Sequence, residues 1–245
     1  MKHLVVIPAY NEEEALPETI AALQRLPADQ YDILVVNDGS RDQTGPIAEQ
    51  LARTSRVPLH VVNLPVNGGI GVAVQTGYLF AAYAGCYHYV IQFDADGQHD
   101  TAGIEALVRE CAAKGLDLCV GSRFLAARDD TFRSTFVRRL GIWFFAWLIG
   151  VLSGVRVTDP TSGFRCAGPR AWQRFARYYP EDYPEPESLF WCVRNKLAVG
   201  EIPVRMYARQ GGVSSIRALK TVYYMLKVSV AILLDRLRGK EVAAK

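Results

Sequence analysis

The chain has 245 residues, of which half are apolar and 22% are charged. This length allows one large domain, or one domain with an appendage, and the composition excludes global disorder. The net charge of +3 hides an asymmetry, because residues 1–122 carry 7 basic and 15 acidic groups while residues 123–245 carry 21 and 10. A net of −8 beside a net of +11 indicates an anionic or membrane-surface partner for the second half.

Short apolar runs alternate with amphipathic segments through the first half of the chain. This alternation, with nearly continuous apolar strands, predicts a parallel sheet covered by helices on both faces. Ligands bind beyond the carboxyl ends of the strands in such sheets, so the polar residues after each strand are the candidates for chemistry. The predicted strands are His3–Ile7, Ile33–Asn37, Leu59–Asn63, Val90–Phe93 and Leu116–Val120, and the predicted helices cover residues 13–25, 43–54, 69–84 and 101–113.

An apolar and basic helix is predicted over residues 132–153. Its longest uncharged run, Leu140–Val155, has sixteen residues, and a membrane-spanning helix needs about 20. Two interpretations remain: a helix buried in the core, or a helix lying in the bilayer interface. Four large aromatic residues beside a basic cluster favour the interface, with their rings directed into the membrane. They are Trp143, Phe144, Phe145 and Trp147.

The rest of the second half predicts smaller elements. A short helix follows the DPTSGFR stretch, residues 187–198 are predicted helical, and Glu201–Tyr207 is predicted as a strand. A last amphipathic helix over 216–238 either lies on the membrane, binds a small membrane protein, or packs on the sheet domain or in a homo-oligomer. The division expected is therefore a catalytic domain over 1–215 and an amphipathic segment over 216–245. The five cysteines have no metal or redox spacing, so reduced thiols are expected, and the start of the chain does not read as a signal peptide.

A pair of carboxylates, Asp94 and Asp96, directly follows the apolar run YHYVIQF. Residues i and i+2 of an extended segment point the same way, so both carboxylates face one side. Two carboxylates share a site readily only when a cation neutralises them, and hard oxygen ligands suit Mg²⁺ or Mn²⁺. A solvated turn before a helix would give the same pattern, and Gln98 could add a ligand or a hydrogen bond.

Polar residues also follow the first three strands. The glycines within Asn67–Gly77 allow close backbone approach at a helix start, which favours a phosphate or ribose nearby; tight helix–sheet packing is the other interpretation. Asp38 is placed to accept from a base or a ribose hydroxyl, or else closes an Asx turn. Tyr10 and Glu12 are candidates for base stacking and ribose contact.

The order of these motifs resembles family 2 glycosyltransferases with the GT-A fold. The motifs are PAYNE at 8–12, NDGS at 37–40, N-x-G-x-G from 67 and DADGQH at 94–99. Over nearly the whole chain, GSRF at 121–124, DPTSGFR at 159–165 and an R-x-G-x-S-like loop at 209–214 resemble dolichol- and undecaprenyl-phosphate sugar transferases. The resemblance implies a Rossmann-like, mostly parallel sheet with helices on both faces, followed by amphipathic interface helices.

The resemblance also implies roles for particular residues. A divalent ion, Mg²⁺ or Mn²⁺, would be held on the donor diphosphate by the D-x-D pair, and Asp96 and Arg209 would act in catalysis. The metal ligands implied are Asp94, Asp96 and Gln98; the nucleotide-sugar is assigned to Pro8, Tyr10, Glu12, Asp38, Asn67, Gly69 and Asp94; the acceptor phosphate is assigned to Arg123, Arg138 and Arg139.

The activity implied is metal-dependent, inverting hexosyl transfer from a UDP-, dTDP- or GDP-linked sugar to a polyprenyl (undecaprenyl) phosphate. The expected location is the cytoplasmic face of the cell membrane, as a peripheral or monotopic protein. A lipid phosphate is already an anion and needs no general base, whereas a sugar hydroxyl needs a carboxylate. Asp159, Glu185 and Glu187 are the candidate bases, with Asp159 preferred because DPTSGFR lies on the acceptor side.

Two alternatives remain from the sequence. One is a glycosyltransferase, for example rhamnosyl or glucosyl, that extends a lipid-linked cell-surface polysaccharide from the same donor site. The other is a non-enzymatic, basic nucleic-acid-binding protein, with which the +11 half is compatible. No nucleic-acid recognition motif occurs, so no nucleic-acid partner is expected.

Overall fold

The computed structural model of the chain describes residues 1–97, 100–125, 136–181, 183–205, 227–232 and 234, without the side chains of residues 136–140 and 153. Seven strands form one sheet. They are β1 (Lys2–Ala9), β2 (Tyr31–Asn37), β3 (Leu59–Asn63), β4 (Tyr87–Gln92), β5 (Leu118–Ser122), β6 (Arg165–Ala167) and β7 (Val199–Pro203).

In the described part of the chain, seven helices up to residue 194 connect these strands or cover the sheet. Each of the four helices predicted in the first half is present, with ends shifted by three residues or fewer. They are α1 (Leu16–Leu23), α2 (Thr44–Thr54), α3 (Ile70–Ala84), α4 (Ala102–Lys114), α5 (Phe136–Ser153), α6 (Pro169–Arg177) and α7 (Pro184–Arg194).

The strand order is β3-β2-β1-β4-β6-β5-β7. The pairs β1–β2, β1–β4, β2–β3 and β5–β7 are parallel, and this confirms the predicted mostly parallel sheet. The short strand β6 runs antiparallel between β4 and β5, with Arg165 opposite both Gln92 and Val120. Since β6 enters the sheet from the end at which its neighbours leave it, the residues just before β6 lie at the carboxyl ends of β4 and β5.

The two faces of the sheet bury separate apolar clusters. Leu4 and Val6 of β1 pack on one side with α3, α5, α6 and α7, while Val5 and Ile7 pack on the other with α1, α2 and α4. The same alternation continues in β4, where Val90 belongs to the first cluster. Residues 92, 94 and 96 therefore follow Val90 towards the face covered by α3 and α7.

Helix α5 buries one side in the protein core and exposes large apolar residues on another. Phe145 is fully buried with Ile142 and Ile149 in the protein core, so the expectation that its ring enters the membrane was wrong. Trp143, Trp147 and Val151 are 59%, 61% and 62% exposed and form one stripe at i, i+4 and i+8. No helix in the described part of the chain is long and apolar enough to cross a bilayer.

Two later elements differ in their bounds from the prediction. Helix α7 begins at Pro184 and ends at Arg194, rather than covering 187–198, because a proline is well suited to the first turn of a helix. Strand β7 begins at Val199 rather than at Glu201. In the last segment, residues 227–232 and 234 are helical, and Val228 and Ile232 are buried against the main core. The predicted boundary at 215/216 lies outside the described residues.

The cysteines carry no disulfide. Cys111, Cys119, Cys166 and Cys192 are buried free thiols, and Cys86 is an exposed one.

Candidate active site

The predicted carboxylate pair lies at the carboxyl end of β4, as its position after a central strand requires. Asp94 is half-buried and Asp96 is 6% exposed. Between them, the carbonyl oxygen of Ala95 accepts a 2.8 Å hydrogen bond from the hydroxyl of Thr19 in α1. The chain then turns at Gly97, whose φ of 70° is one that glycine adopts without strain. The backbone of the pair is thus fixed before any ligand binds.

Gly163, in the loop before β6, lies directly against the Asp94 carboxylate. A Cβ atom added at residue 163 would lie 2.9 Å from Oδ2 and 3.0 Å from Oδ1 of Asp94, and 3.0 Å from Nε2 of Gln92. The side chain of Gln92 is 1% exposed, and both of its polar atoms lack a hydrogen bond of standard geometry. The missing side chain at residue 163 therefore leaves room at the carboxylate, and a buried amide faces the same space.

These features fit a divalent cation. Two carboxylates just beyond the end of β4 supply the hard oxygen ligands that Mg²⁺ and Mn²⁺ prefer, and the absence of a side chain at Gly163 leaves space next to the Asp94 carboxylate. Within the described ranges, which omit Gln98 and His99, there is no group of three or more His, Cys, Asp or Glu residues arranged to hold a metal ion. The remaining ligands of an ion here would come from the donor diphosphate and from Gln98, which lies outside the described residues.

The carboxylate of Asp38 organises the loop that precedes α3. It is 3% exposed and accepts hydrogen bonds from Gly68 N at 2.7 Å, Gly69 N at 2.9 Å and Asn67 Nδ2 at 3.0 Å. Three of the predicted donor-binding residues (Asp38, Asn67 and Gly69) are thus brought together, but they contact one another. Any contact between Asp38 and a base or ribose would use the acceptor capacity that remains on this carboxylate.

The glycines of the same loop serve backbone packing as well. A Cβ at residue 71 would lie 2.2 Å from the carbonyl oxygen of Glu181, and Gly71 N donates to that same oxygen at 3.2 Å. The close approach predicted at this helix start is therefore an approach to the loop before α7. It ties the amino end of α3 to the region that carries Glu185.

Pro8, Tyr10 and Glu12 lie at the carboxyl end of β1 and just beyond it. Pro8 is half-buried and pairs with Val36, Tyr10 is 40% exposed, and Glu12 is half-buried with its backbone N bonded to the Thr44 hydroxyl at 2.8 Å. An open cleft of about 390 Å³ lies beside them and is lined by residues 11–15 and 41–42. This places an exposed ring and a carboxylate at the same sheet edge as Asp38.

Arg123 and Asp159 form a buried ion pair at the end of β5. Arg123 Nε lies 2.6 Å from Oδ2 and Nη2 lies 2.7 Å from Oδ1, while Nη2 also donates to the Thr161 hydroxyl at 3.0 Å. The two side chains are 4% and 0% exposed. The structure thus contradicts the preference for Asp159 as a general base, because both of its oxygens are held by a guanidinium and neither faces solvent.

Glu185, at the amino end of α7, is the carboxylate that faces the D-x-D pair. Burial raises the pKa of the Glu185 carboxyl, and the Asp94 carboxylate raises it further, against the opposing effect of Arg165. Arg165 is 1% exposed and donates to the carbonyls of Ser162 and Pro160 and to the Ser188 hydroxyl at 2.6, 2.8 and 3.0 Å. A buried positive charge therefore lies between the loop before β6 and α7.

Sequence reasoning missed three residues that shape this site: Gly163, Gln92 and Arg165. The glycine and the arginine stand within DPTSGFR, so the motif was noticed, but nothing in it says what its members contact. The predicted site residues Gln98 and Arg209 lie outside the described residues. Arg138 and Arg139 lie in α5, and their side chains are likewise outside the description.

Comparison with known proteins agrees with this geometry. Residues 4–176 match Glycosyl transferase family 2. Polyprenol monophosphomannose synthase of Mycolicibacterium smegmatis is 29% identical over 245 residues, covering 96% of this chain and 90% of that protein. A dolichyl-phosphate beta-glucosyltransferase of Trichomonas vaginalis is 32% identical over 243 residues, covering 92% and 72%.

A solved structure gives the same fold. Glucosyl-3-phosphoglycerate synthase from Mycobacterium tuberculosis, in complex with Mn²⁺, uridine diphosphate and phosphoglyceric acid, superposes with a TM-score of 0.68 at 23% identity, covering 97% of this chain and 78% of that one. The predicted GT-A class is confirmed, and the alternative of a non-enzymatic nucleic-acid-binding protein was wrong. The chain therefore belongs to glycosyl transferase family 2 and is a glycosyltransferase.

Proposed function

We propose that this enzyme transfers a sugar from a nucleotide-sugar to the phosphate of a polyprenyl phosphate, with a divalent cation and at a membrane surface. The observation that carries the proposal is the match, over 96% and 92% of this chain, to relatives named for polyprenol and dolichyl phosphate. The geometry supports it, since the carboxylate pair and the Arg123–Asp159 pair lie at the ends of β4 and β5, the two strands on either side of β6.

The donor side is formed by the carboxyl ends of β1, β2 and β4. Asp94 and Asp96 would hold Mg²⁺ or Mn²⁺, and Gln98 would complete the protein ligands. Pro8, Tyr10 and Glu12 are placed to contact the nucleoside. Asp38, through Asn67, Gly68 and Gly69, fixes the loop that borders it. The cation, when bound, supplies positive charge that stabilises the nucleoside diphosphate as it leaves.

The reaction on this proposal is a direct displacement. A phosphate oxygen of the acceptor forms a new bond to the anomeric carbon, the bond from that carbon to the diphosphate oxygen breaks, and the electron pair leaves with the nucleoside diphosphate. The anomeric configuration is inverted. Because the nucleophile is already an anion, the protein needs to orient it rather than deprotonate it, which agrees with the engagement of Asp159 by Arg123.

The acceptor phosphate is assigned to Arg123, Arg138 and Arg139, and the leaving diphosphate to Arg209 with the cation. Asp159 and Thr161 hold the Nε and Nη2 edge of Arg123, which fixes the plane of this guanidinium at the end of β5. A guanidinium held flat by a carboxylate keeps a defined direction for its remaining donors.

Membrane association is proposed through α5. The exposed stripe of Trp143, Trp147 and Val151 lies on the helix that also carries Arg138 and Arg139. Indole side chains favour the headgroup region, and each basic residue near an anionic membrane contributes about 1 kcal/mol. This arrangement supports a peripheral position at the membrane; the cytoplasmic face is proposed from the resemblance to polyprenyl-phosphate sugar transferases.

A sugar hydroxyl of a lipid-linked saccharide is the second candidate acceptor. Glu185 favours it, because this half-buried carboxyl with a raised pKa faces Asp94, where a hydroxyl acceptor would need a base.

The deciding experiment is a donor and acceptor panel. The purified enzyme is incubated with UDP-, GDP- and dTDP-sugars, Mg²⁺ or Mn²⁺, and undecaprenyl phosphate in anionic vesicles, and extracted lipids are analysed for a sugar phosphodiester. Product with one donor, lost on chelation by EDTA, is expected. Transfer only to a lipid-linked saccharide would instead establish the second candidate.

A further inference from the structure

The carboxylate of Glu201, in β7, holds the backbone next to the Arg123–Asp159 pair. Its Oε2 accepts from Thr158 N at 2.7 Å and from the Thr158 hydroxyl at 3.0 Å, and its Oε1 accepts from Asp159 N at 2.9 Å. Both oxygens of one side chain are thus committed to two consecutive residues of the loop before β6. The Thr158 hydroxyl also lies 2.6 Å from the hydroxyl of Ser122, at the end of β5.

The same set of hydrogen bonds extends from Glu201 through Asp159 to the guanidinium of Arg123. Glu201 fixes the backbone of Asp159, and the Asp159 carboxylate grips Arg123 through two charge-assisted bonds of 2.6 and 2.7 Å and accepts from Arg123 N at 3.2 Å. Val120 of β5 is the register partner of Glu201 in the sheet, so Glu201 lies on the strand beside the one that ends at Ser122, directly before Arg123. A shift of the Glu201 side chain would be transmitted to Arg123 through a single intervening residue.

Burial of the Glu201 carboxylate next to the Asp159 carboxylate costs folding free energy. Burial raises the pKa of the Glu201 carboxyl and the Asp159 carboxylate raises it further, against hydrogen bonds from Thr158 and Asp159 that lower it. The Glu201 and Asp159 carboxylates therefore lie close together, and the hydrogen bonds to Thr158 and Asp159 offset their repulsion. A carboxylate can accept at both oxygens, as Glu201 does here, whereas an amide could accept at only one of them.

We propose that Glu201 is a positioning residue for the acceptor side of the enzyme, which fixes the direction of the Arg123 guanidinium through Asp159. The inference rests on the proposed function only for the identity of the acceptor phosphate. Glu201 itself touches neither substrate; it acts on the side chain assigned to the acceptor.

The kinetic test compares Glu201→Gln with wild type, using Ile202→Val as a matched control. Glutamine keeps one acceptor oxygen but presents an NH₂ group to a backbone N–H. The KM for polyprenyl phosphate is expected to rise about 10-fold or more, while the donor KM changes less than about twofold. Ile202 is the next residue of β7 and is buried in the opposite core cluster, so Ile202→Val perturbs the same strand without touching the loop. Equal rises in the acceptor KM and the donor KM of Glu201→Gln would overturn the positioning role. A rise confined to the acceptor KM of Ile202→Val would overturn it as well.

A second readout needs no substrate. The Nε–H of Arg123, bonded to Asp159, is expected to give a slowly exchanging ¹⁵N NMR signal in wild type and in Ile202→Val, with exchange at least about 10-fold faster in Glu201→Gln. An unchanged signal in Glu201→Gln would refute the inference. If wild type transfers no sugar to any polyprenyl phosphate, the proposed function fails, and this measurement still decides the role of Glu201.

Discussion

The α-carbon of Gly163 faces the carboxylate of Asp94 so closely that a methyl group on it would lie 2.9 Å from Oδ2. This relationship ties the loop before β6 to the carboxylate pair. The same loop, four residues earlier, holds Arg123 through Asp159. The proposed donor side and the proposed acceptor side of the enzyme therefore lie at the two ends of one short segment.

Gly163→Ala is expected to lower turnover about 10- to 100-fold, because the added methyl must displace the Asp94 carboxylate. The backbone of residue 163 does not require glycine, so the effect comes from contact and not from strain. Steady-state kinetics measure the loss, with circular dichroism to verify folding. Gly150→Ala is the matched control, since its Cβ would meet only the Val155 carbonyl oxygen, at 3.8 Å. Turnover as fast in Gly163→Ala as in Gly150→Ala would refute the close contact.

Asp96→Ala is expected to abolish transfer, lowering turnover by at least about 100-fold while the fold is retained, because the cation loses a charged ligand. Calorimetric titration of donor in the presence of Mn²⁺ should show correspondingly weaker binding. Asp100→Asn serves as a control, because the Asp100 carboxylate accepts from Ala102 N at the start of α4 and asparagine keeps a capping side chain. Turnover like wild type in Asp96→Ala would remove the D-x-D pair from the site.

Asp38→Asn is expected to lower the free energy of unfolding by about 2–3 kcal/mol, since the amide NH₂ would face a backbone N–H that the carboxylate now accepts. The donor KM should rise in the same variant, because the loop over residues 67–69 loses its anchor. Urea denaturation and donor titration check the two effects. Asp29→Asn, at an exposed position, should change neither. Full stability in Asp38→Asn would contradict the hydrogen-bonding described.

His3 predicts a pH dependence of stability. Burial, and secondarily His88, lowers the pKa of its imidazole from 6.5 to about 4. The unfolded chain takes up a proton near pH 6.5 and the folded chain does not until about pH 4, so this contribution is complete above pH 6.5 and is lost as the pH falls towards 4. Between pH 7.5 and 5, wild type should lose about 1–2 kcal/mol more stability than His3→Phe, which keeps the ring contacts with Tyr31 and Tyr89. Parallel pH profiles would exclude a depressed pKa.

The double variant Trp143→Ser/Trp147→Ser is expected to reduce binding to anionic vesicles by at least about 10-fold in a flotation assay, because two exposed indoles are removed. Leu79→Ser/Tyr83→Ser is the control: it removes two exposed apolar side chains at the same spacing on α3, 51% and 95% exposed. Equal loss of binding in both double variants would show that hydrophobicity in general, and not α5, mediates the association.

Much of the fold was predictable because its strands are apolar runs with polar ends. The alternation of such runs with helical segments predicted the first five strands, and with them the position of Asp94, Asp96 and Asp38 at one sheet edge. Strand β6 was not predicted, since three residues carry no periodicity and its pairing with β4 and β5 is set by residues more than 40 positions away.

The orientation of side chains was harder to predict from the sequence. Helix α5 has large apolar residues around its whole circumference, so the sequence does not tell which aromatic ring faces the core, and Phe145 proved to be inside while Trp143 and Trp147 are outside. Asp159 was a reasonable candidate base by type and motif. Its pairing with Arg123, 36 positions away, follows from tertiary structure that no local pattern encodes.

The reversed direction of β6 has a consequence for engineering. The loop that enters β6 packs against Asp94 at one end and holds Arg123 at the other. A change in this loop would therefore move both side chains. Exchanging residues 158–163 for those of a transferase with a different acceptor would also shift the metal-binding carboxylate. Changes meant to alter acceptor preference in this scaffold should therefore be made outside residues 158–163.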